Sequence, residues 1–430
     1  MVHGAVRLLL VLSICSFMAL ASCDGPPPQA PTPDHTPPRT GIQLPDREPV
    51  IRVRLLHVDD ETVTIGTKGQ RVHLDTPDTY TTFDGPIRIQ RSGTHWLVGG
   101  AGDVAPWRSP VDVSIKLSSD TPLLLDHHKP PRQYEGVLHC IASTGSDSRS
   151  WDLIEYIRLE RYLPGVLAAE LYAGWTDACY EAQCVAARSF ACMRISERTN
   201  HTFDVTDGPS TQAYHGVVED KTAHDAQAST SGMILSWNDR LVPGYFSSCC
   251  GGRAATAIDA IGPSPVNDIP PLRGHRDDDY CRDSPLYEWT INRSARTLGR
   301  RLAKYGRSHG LTDLGSMSTI QDIQVAEANE HGRPVSLKII DRNQHHATIT
   351  TNQFFRASNH GGSIGRPTKE LWSGWAMGRT ERGRIDLQGH GFGHGVGLCQ
   401  YGAQGMGKQG HSWREIISWY YPDVILHRAW

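Results

Sequence analysis

One acidic side chain stands out by its position. In LERYLPGVLAAEL, Leu163, Val166, Leu167 and Glu170 fall at i, i+3, i+4 and i+7, so the carboxyl continues the apolar side of a helix. Partial desolvation there raises a carboxyl pKa and keeps the acid protonated closer to neutrality. That is the state a general acid needs. The competing reading is a helix-ending glutamate paired with an arginine, because ion pairs perturb carboxyls too. Arg188 sits among Ala186, Ala187 and Ser189, which suits a buried or groove-lining guanidinium able to steady polar groups of a ligand. Glu181 shares a helix face with Arg188, seven residues earlier, and reads as part of a solvated face.

A second segment could do chemistry beside it. GHGFGHGVGLCQYGAQGMGKQG, from Gly389 to Gly410, holds nine glycines, His390 and His394 four apart, and a Gln400-Tyr401 pair. A phosphate loop would need Lys followed by Ser or Thr after its glycines, but Gln409 follows Lys408. Two histidines on one face suit zinc, yet Cys399 stands five residues beyond His394 and no third ligand has suitable spacing. Packing remains: glycine tolerates positive φ and close backbone approach, so tight turns can project His, Gln and Tyr into a shared groove.

The elements that must carry these groups are legible in outline. Leu153 to Trp175 is a strong helical stretch in which Pro164 fits the first turn of a helix running through Leu171. TDACYEAQCVAARSFACMRISER follows as a second helix, with a stripe of Ala178, Ala182, Val185, Ala186, Ser189, Phe190 and Met193 at helical spacing. Short β-rich runs (VIRVRLLHV, TVTIG, RVHL, IRIQ, HWLVGG, VDVSIKL) precede the pair from Val50 to about residue 135. Further strand-like runs follow it (MILSW, VPGYFSS, IQDIQVAEA, PVSLKII, HATIT, RIDLQ), and SWREIISWYYPDVIL closes the chain as a short helical pattern. The fold class is α+β, mostly strand, with a compact helical pair at its centre.

The chain has 430 residues, enough for two or three domains. A formal charge of −3 with 21% charged residues argues against a nucleic-acid partner and suits an uncharged or mildly polar substrate such as a glycan. MVHGAVRLLLVLSICSFMALASC has Arg7 before an apolar run too short for a comfortable membrane span. Residues 1–22 therefore read as a signal peptide. Leu20-Ala21-Ser22-Cys23 resembles a lipobox, in which Cys23 would carry the lipid and residues 23–49, rich in proline, would be a tether. The expected location is the outer face of a bacterial membrane, with the lipid anchor as the only membrane contact. Of ten cysteines, Cys15 and Cys23 belong to this leader. Disulfides are expected among the other eight, with Cys249 or Cys250 bonding Cys281 as a simpler account than a metal site shared with His275; Cys179 and Cys184, five apart on a helix, point away from each other.

LERYLPGVLAAELYAGW followed by ACYEAQCVAARSFA is similar to the signature of the SpoIID/LytB family, as are DVTDGPSTQAYHGV, YFSSCCGG, the Gly-His segment and SWREIISWYYPDV. The resemblance spans residues 136 to 430 in order, and implies a strand-rich SpoIID-like core there whose central helical pair carries the catalytic glutamate. It implies peptidoglycan work: lytic cleavage of MurNAc-GlcNAc bonds in peptide-stripped glycan strands or, in other members, stimulation of a cell-wall amidase. The family's catalytic acid falls on Glu170. Arg188 falls on an arginine expected to touch glycan. Ser248, His390, His394, Gln400 and Tyr401 are expected along the groove. The chain departs from the family at Glu181, which replaces a lysine where substrate contact is expected, and at Thr206 and Thr211, which replace zinc-binding cysteines near His201. No metal and no cofactor are expected.

Overall fold

The computed structural model describes residues 41–100, 105–143, 149–275, 279–361, 365 and 367–430. The signal peptide, Cys23 and most of the proline-rich tether lie outside them. The architecture is α+β and rich in strand.

Two hydrophobic cores organise the described chain. The first is built on a seven-stranded sheet in the order 205–206, 50–59, 150–158, 137–142, 115–118, 71–75 and 80–84, with a six-stranded sheet of residues 63–134 beside it. Val50–Asp59 runs antiparallel to Ser150–Arg158, from Val50 opposite Arg158 to Asp59 opposite Ser150. Alternation along VIRV turns Ile51 and Val53 inward, both fully buried, as a pleated strand with one covered face requires. Leu138 pairs with Leu117 across two further strands. The division placed at residue 135 therefore falls inside one sheet, and residues 50–135 share a core with the helices that follow.

Helix α1 spans Leu159–Glu170 and α2 spans Asp177–Glu197. Leu153 to Arg158, expected as helix, is strand instead. Its partner strand claims the backbone hydrogen bonds of this segment, and buried Leu153 and Ile157 join the core while Ile154 is buried on the opposite face. Pro164 consequently lies inside α1 rather than in its first turn. At α2, Thr176 caps the helix by accepting from the Cys179 N–H.

The second core belongs to residues 288–390. Its six-stranded sheet runs 288–294, 384–390, 376–381, 320–328, 334–341 and 346–350. The helix Ala295–Ser308 buries Leu298 and Leu302 in this core, and Thr351–Asn359 buries Phe354. Glu288 pairs with His390, so the module leaves and re-enters the first fold at adjacent points. It is an insertion between Cys281 and the Gly-His segment, both of which belong to the first core.

Candidate functional site

Glu170 is the last residue of α1. The electronegative end of the helix disfavours a carboxylate there. Burial raises its pKa above the ordinary glutamate value, and two hydrogen bonds oppose that rise. Oε1 accepts from the Ala213 N–H at 2.7 Å and Oε2 from Gln400 Nε2 at 3.3 Å. The competing reading, a carboxyl closed in an ion pair, does not hold: among the described residues no cation pairs with Glu170, and both its hydrogen bonds come from neutral donors.

Each donor is positioned by its own framework. Ala213 lies in a loop pinned to the helical pair by buried Gln212, whose Nε2 donates to the Ala187 carbonyl at 3.2 Å and whose Oε1 accepts from Tyr162 Oη at 3.3 Å. The loop closes onto α1 because position 165 is glycine; a Cβ there would come within 2.6 Å of the Tyr214 ring. Gln400 opens the helix Gln400–Lys408, whose Gln404 Oε1 accepts from the Thr176 N–H at 2.9 Å and from its hydroxyl at 3.1 Å. That contact docks the helix on the start of α2.

The Gly-His segment thus divides. Its second half is helical rather than a set of tight turns, because Gly405 and Gly407 let the helix lie against Tyr280 and Thr176. Its first half is turn: Gly395 has φ +76°, and a Cβ there would meet the Arg333 guanidinium at 2.7 Å. Leu398–Cys399 pairs in parallel with Phe246–Ser247, and the Tyr401 N–H donates to the Ser248 carbonyl at 3.0 Å. This places Ser248, Gln400 and Tyr401 along one wall.

A groove of about 520 Å³ is lined by Glu170, Tyr172, Trp175, Tyr245, Ser248, Phe392, His394, Gln400 and Tyr401, among others. Among the described residues, Glu170 is the only carboxylate in that lining, which holds no lysine or arginine. Burial, with Arg333 nearby, pushes the His394 imidazole down to about 4. Its Nδ1 accepts from the Val396 N–H at 3.0 Å, so the neutral ring carries its proton on Nε2. Trp175 and Tyr172 stand edge-on to Tyr401, with ring centroids 5.0 and 6.2 Å away. Burial, with Tyr172 beside it, pushes the Tyr401 phenol up to about 12. The arrangement presents one acid whose pKa burial raises, with several neutral hydroxyls and aromatic faces, which suits an uncharged, polyhydroxylated ligand.

Three expected groove residues lie elsewhere. Arg188 is fully buried and forked onto Glu160, Nε to Oε1 at 3.0 Å and the second amino group to Oε2 at 2.9 Å. It cannot touch a glycan; the small residues around it are what let it be enclosed. Glu181 lies outside the groove lining and accepts from Ser229 Oγ at 2.6 Å. His390 ends the strand Arg384–His390 and stacks on Trp375, centroids 4.5 Å apart, so the insertion draws it away from the groove. Sequence reasoning missed Tyr172, Tyr245, Phe392 and the Ala213 N–H, none of which carries a spacing signal. Thr206 and Thr211, at the zinc-cysteine positions, bond each other, Oγ1 to Oγ1 at 3.2 Å. Cys250 and Cys281 meet as thiols, Sγ to Sγ at 3.6 Å.

Comparison with known proteins agrees with this architecture. Residues 147–237 match the family model described as Stage II sporulation protein, and residues 273–397, chiefly the insertion, match a domain of unknown function, DUF8618. The chain is 28% identical to an uncharacterized protein of Brachyspira hyodysenteriae over 64% of its own length and 68% of that protein. It is 26% identical to the Stage II sporulation protein D of Bacillus subtilis, over 64% and 76% of the two lengths. With the Bacillus subtilis amidase enhancer it shares 24% identity over 61% of its length, spanning 40% of that relative. The helical pair and the loop bearing Ala213 both lie within the residues that match the Stage II sporulation protein model, and with the similarity to these relatives they make the SpoIID/LytB family the one this part of the chain resembles.

Proposed function

We propose that the chain is a peptidoglycan lytic transglycosylase that cuts MurNAc-GlcNAc bonds of peptide-stripped glycan strands with Glu170 as its only acid/base group. The observation that carries this reading is the isolation of Glu170, which among the described residues is the one carboxylate in a groove lined by no cation, its pKa raised by burial. Hydrolytic glycosidases ordinarily use two carboxyl groups. One suffices if the sugar supplies the nucleophile. Glu170 gives its proton to the glycosidic oxygen as the C1–O bond breaks. The C6 hydroxyl of the same sugar then attacks C1, and the carboxylate takes that hydroxyl's proton, leaving a 1,6-anhydro end and a regenerated acid. No water is consumed. The test is digestion of purified peptide-free strands with mass spectrometry for 1,6-anhydro termini; reducing ends, or no cleavage, would overturn the reading.

Two further outcomes probe the groove. Gln400→Ala removes a hydrogen bond that favours ionised Glu170, so the alkaline limb of the rate profile is expected to move to higher pH. Trp175→Ala removes an aromatic face beside Tyr401 and is expected to raise KM about tenfold with a smaller change in kcat, since an aromatic platform is worth about 1–3 kcal/mol to a stacked base and tenfold corresponds to the lower part of that range.

A second reading, stimulation of a cell-wall amidase without glycan cleavage, is favoured by the similarity to the amidase enhancer. Amidase stimulation that survives Glu170→Gln, with no anhydro product from the parent protein, would establish it instead. Export and anchoring through Cys23 belong to the same proposal and rest on the leader sequence. Labelled palmitate should enter the parent chain and not Cys23→Ser.

A further inference from the structure

Behind the groove wall, outside the acid/base machinery, four buried cysteines converge from three segments: Cys249 and Cys250, Cys281, and Cys399. The sulfurs of Cys249, Cys281 and Cys399 all lie within 4.8 Å of one another. We propose that these three thiols bind one zinc-class divalent ion, fixing the wall that carries Ser248 and Gln400 from behind.

Three observations favour a metal over a simple crosslink. The first is number and geometry. A disulfide uses two sulfurs and leaves the third enclosed, whereas Zn–S bonds of about 2.3 Å hold tetrahedral ligand sulfurs about 3.8 Å apart, a modest contraction from the present spacing. Soft thiolates select this class of ion. The second is charge. Arg333 is buried beside the cluster; among the described residues its guanidinium donates to main-chain carbonyls alone, Cys250 at 2.6 Å, Arg253 at 2.8 Å and His394 at 3.3 Å, and lies over the Trp375 ring at 5.3 Å, with no carboxylate partner. An arginine stays charged in proteins, and a buried charge is costly unless compensated. Binding M²⁺ releases three thiol protons and leaves a tristhiolate complex of charge −1, which neutralises Arg333. A disulfide supplies no such charge. The third is the outer shell. The Cys250 N–H donates to Cys399 Sγ at 3.3 Å, the kind of contact that orients and stabilises a metal-bound sulfur. The fourth coordination position is open to a small ligand or to Cys250, whose sulfur is 3.6 Å from that of Cys281.

The site also has a position in the fold that gives it consequence. Cys399 immediately precedes Gln400, which touches Glu170, and Cys249 follows Ser248 and bridges to Phe392 on the groove rim. A metal would tie the Phe246–Ser247 and Leu398–Cys399 strands to the segment at Cys281.

The experiment uses the whole chain purified without chelator or added reductant. Zinc is measured per chain by mass spectrometry, and thiols are counted after denaturation with and without chelator. About one zinc per chain is expected in the parent protein and in Cys250→Ser. A fall to below about a tenth is expected in Cys249→Ser, Cys281→Ser and Cys399→Ser, since a three-thiolate site does not survive loss of a ligand. Reconstitution of the parent with Co(II) should give thiolate-to-metal charge-transfer bands, a readout that does not depend on any variant folding. A Cys250–Cys281 disulfide in the peptide map of metal-free, folded parent protein would overturn the proposal, as would bound metal unchanged by all three substitutions.

Discussion

Glutamine at position 170 is expected to abolish formation of 1,6-anhydro termini, lowering the rate by about 10²–10⁴-fold, the usual worth of a positioned acid/base group. The fold should persist, because the glutamine carbonyl can still accept from the Ala213 N–H and none of the described residues lining the site is a cation that needs a carboxylate partner. Stability supplies an independent check on the same residue. The folded-state pKa is raised, so between the unfolded and folded values the native state binds more protons than the unfolded chain, and stability falls as pH rises through that window. Ionised Glu170 is therefore a cost at neutral pH. Glu170→Gln should be as stable as the parent or more so at pH 7, with the difference vanishing below the ordinary glutamate pKa. Thermal unfolding across pH, run beside the strand-cleavage assay, reads both effects. A variant that cleaves at the parental rate would remove Glu170 from the mechanism, and one that unfolds at neutral pH would mean that the carboxyl is structural.

The largest expected loss of stability lies at Glu160. Its carboxylate gathers five donors: both arms of Arg188, Gln227 Nε2 at 2.7 Å, the Gly232 N–H at 3.0 Å and Trp430 Nε1 at 2.9 Å. This one group joins α1, α2, helix Lys221–Ser229 and the turn before strand Met233–Trp237. Glu160→Ala would leave Arg188 fully buried without its counter-ion, a change that costs about 3–5 kcal/mol. Replacing both residues by apolar ones of similar size should recover much of the loss, for the same reason. Burial pushes the Glu160 pKa up, but the Arg188 hydrogen bonds and charge outweigh it and hold the group below its usual value. Its contribution is thus present above the unfolded glutamate pKa and lost as pH falls through the folded one. Acid unfolding should accordingly be blunted in the double variant. Equal acid sensitivity in the two proteins would show that other carboxylates control it.

Several elements were readable without a structure because their signals are local. The alternation of VIRVRLLHV, the stripe of α2 and the i, i+3, i+4, i+7 face ending at Glu170 each depend only on the period of the element. Leu153 to Arg158, expected as helix, forms strand: its apolar run suits helix or strand equally. What settles it is the partner Val50–Asp59, a hundred residues away. Arg188 was misread for a related reason: small neighbours indicate close packing but not whether it opens to solvent or closes on Glu160.

Taken alone, the amino-acid order determined the α+β class, the helical pair, the half-buried acid and the family resemblance, because spacing and residue type are carried within short windows. Only the tertiary structure decided that His394 shares the groove of Glu170 while His390 does not, that a module with its own hydrophobic core separates Cys281 from the Gly-His segment, and that four cysteines converge behind the wall. Those facts depend on contacts between segments up to 230 residues apart, as in the Gln400–Glu170 pair, and no local periodicity encodes which distant surfaces will bury each other.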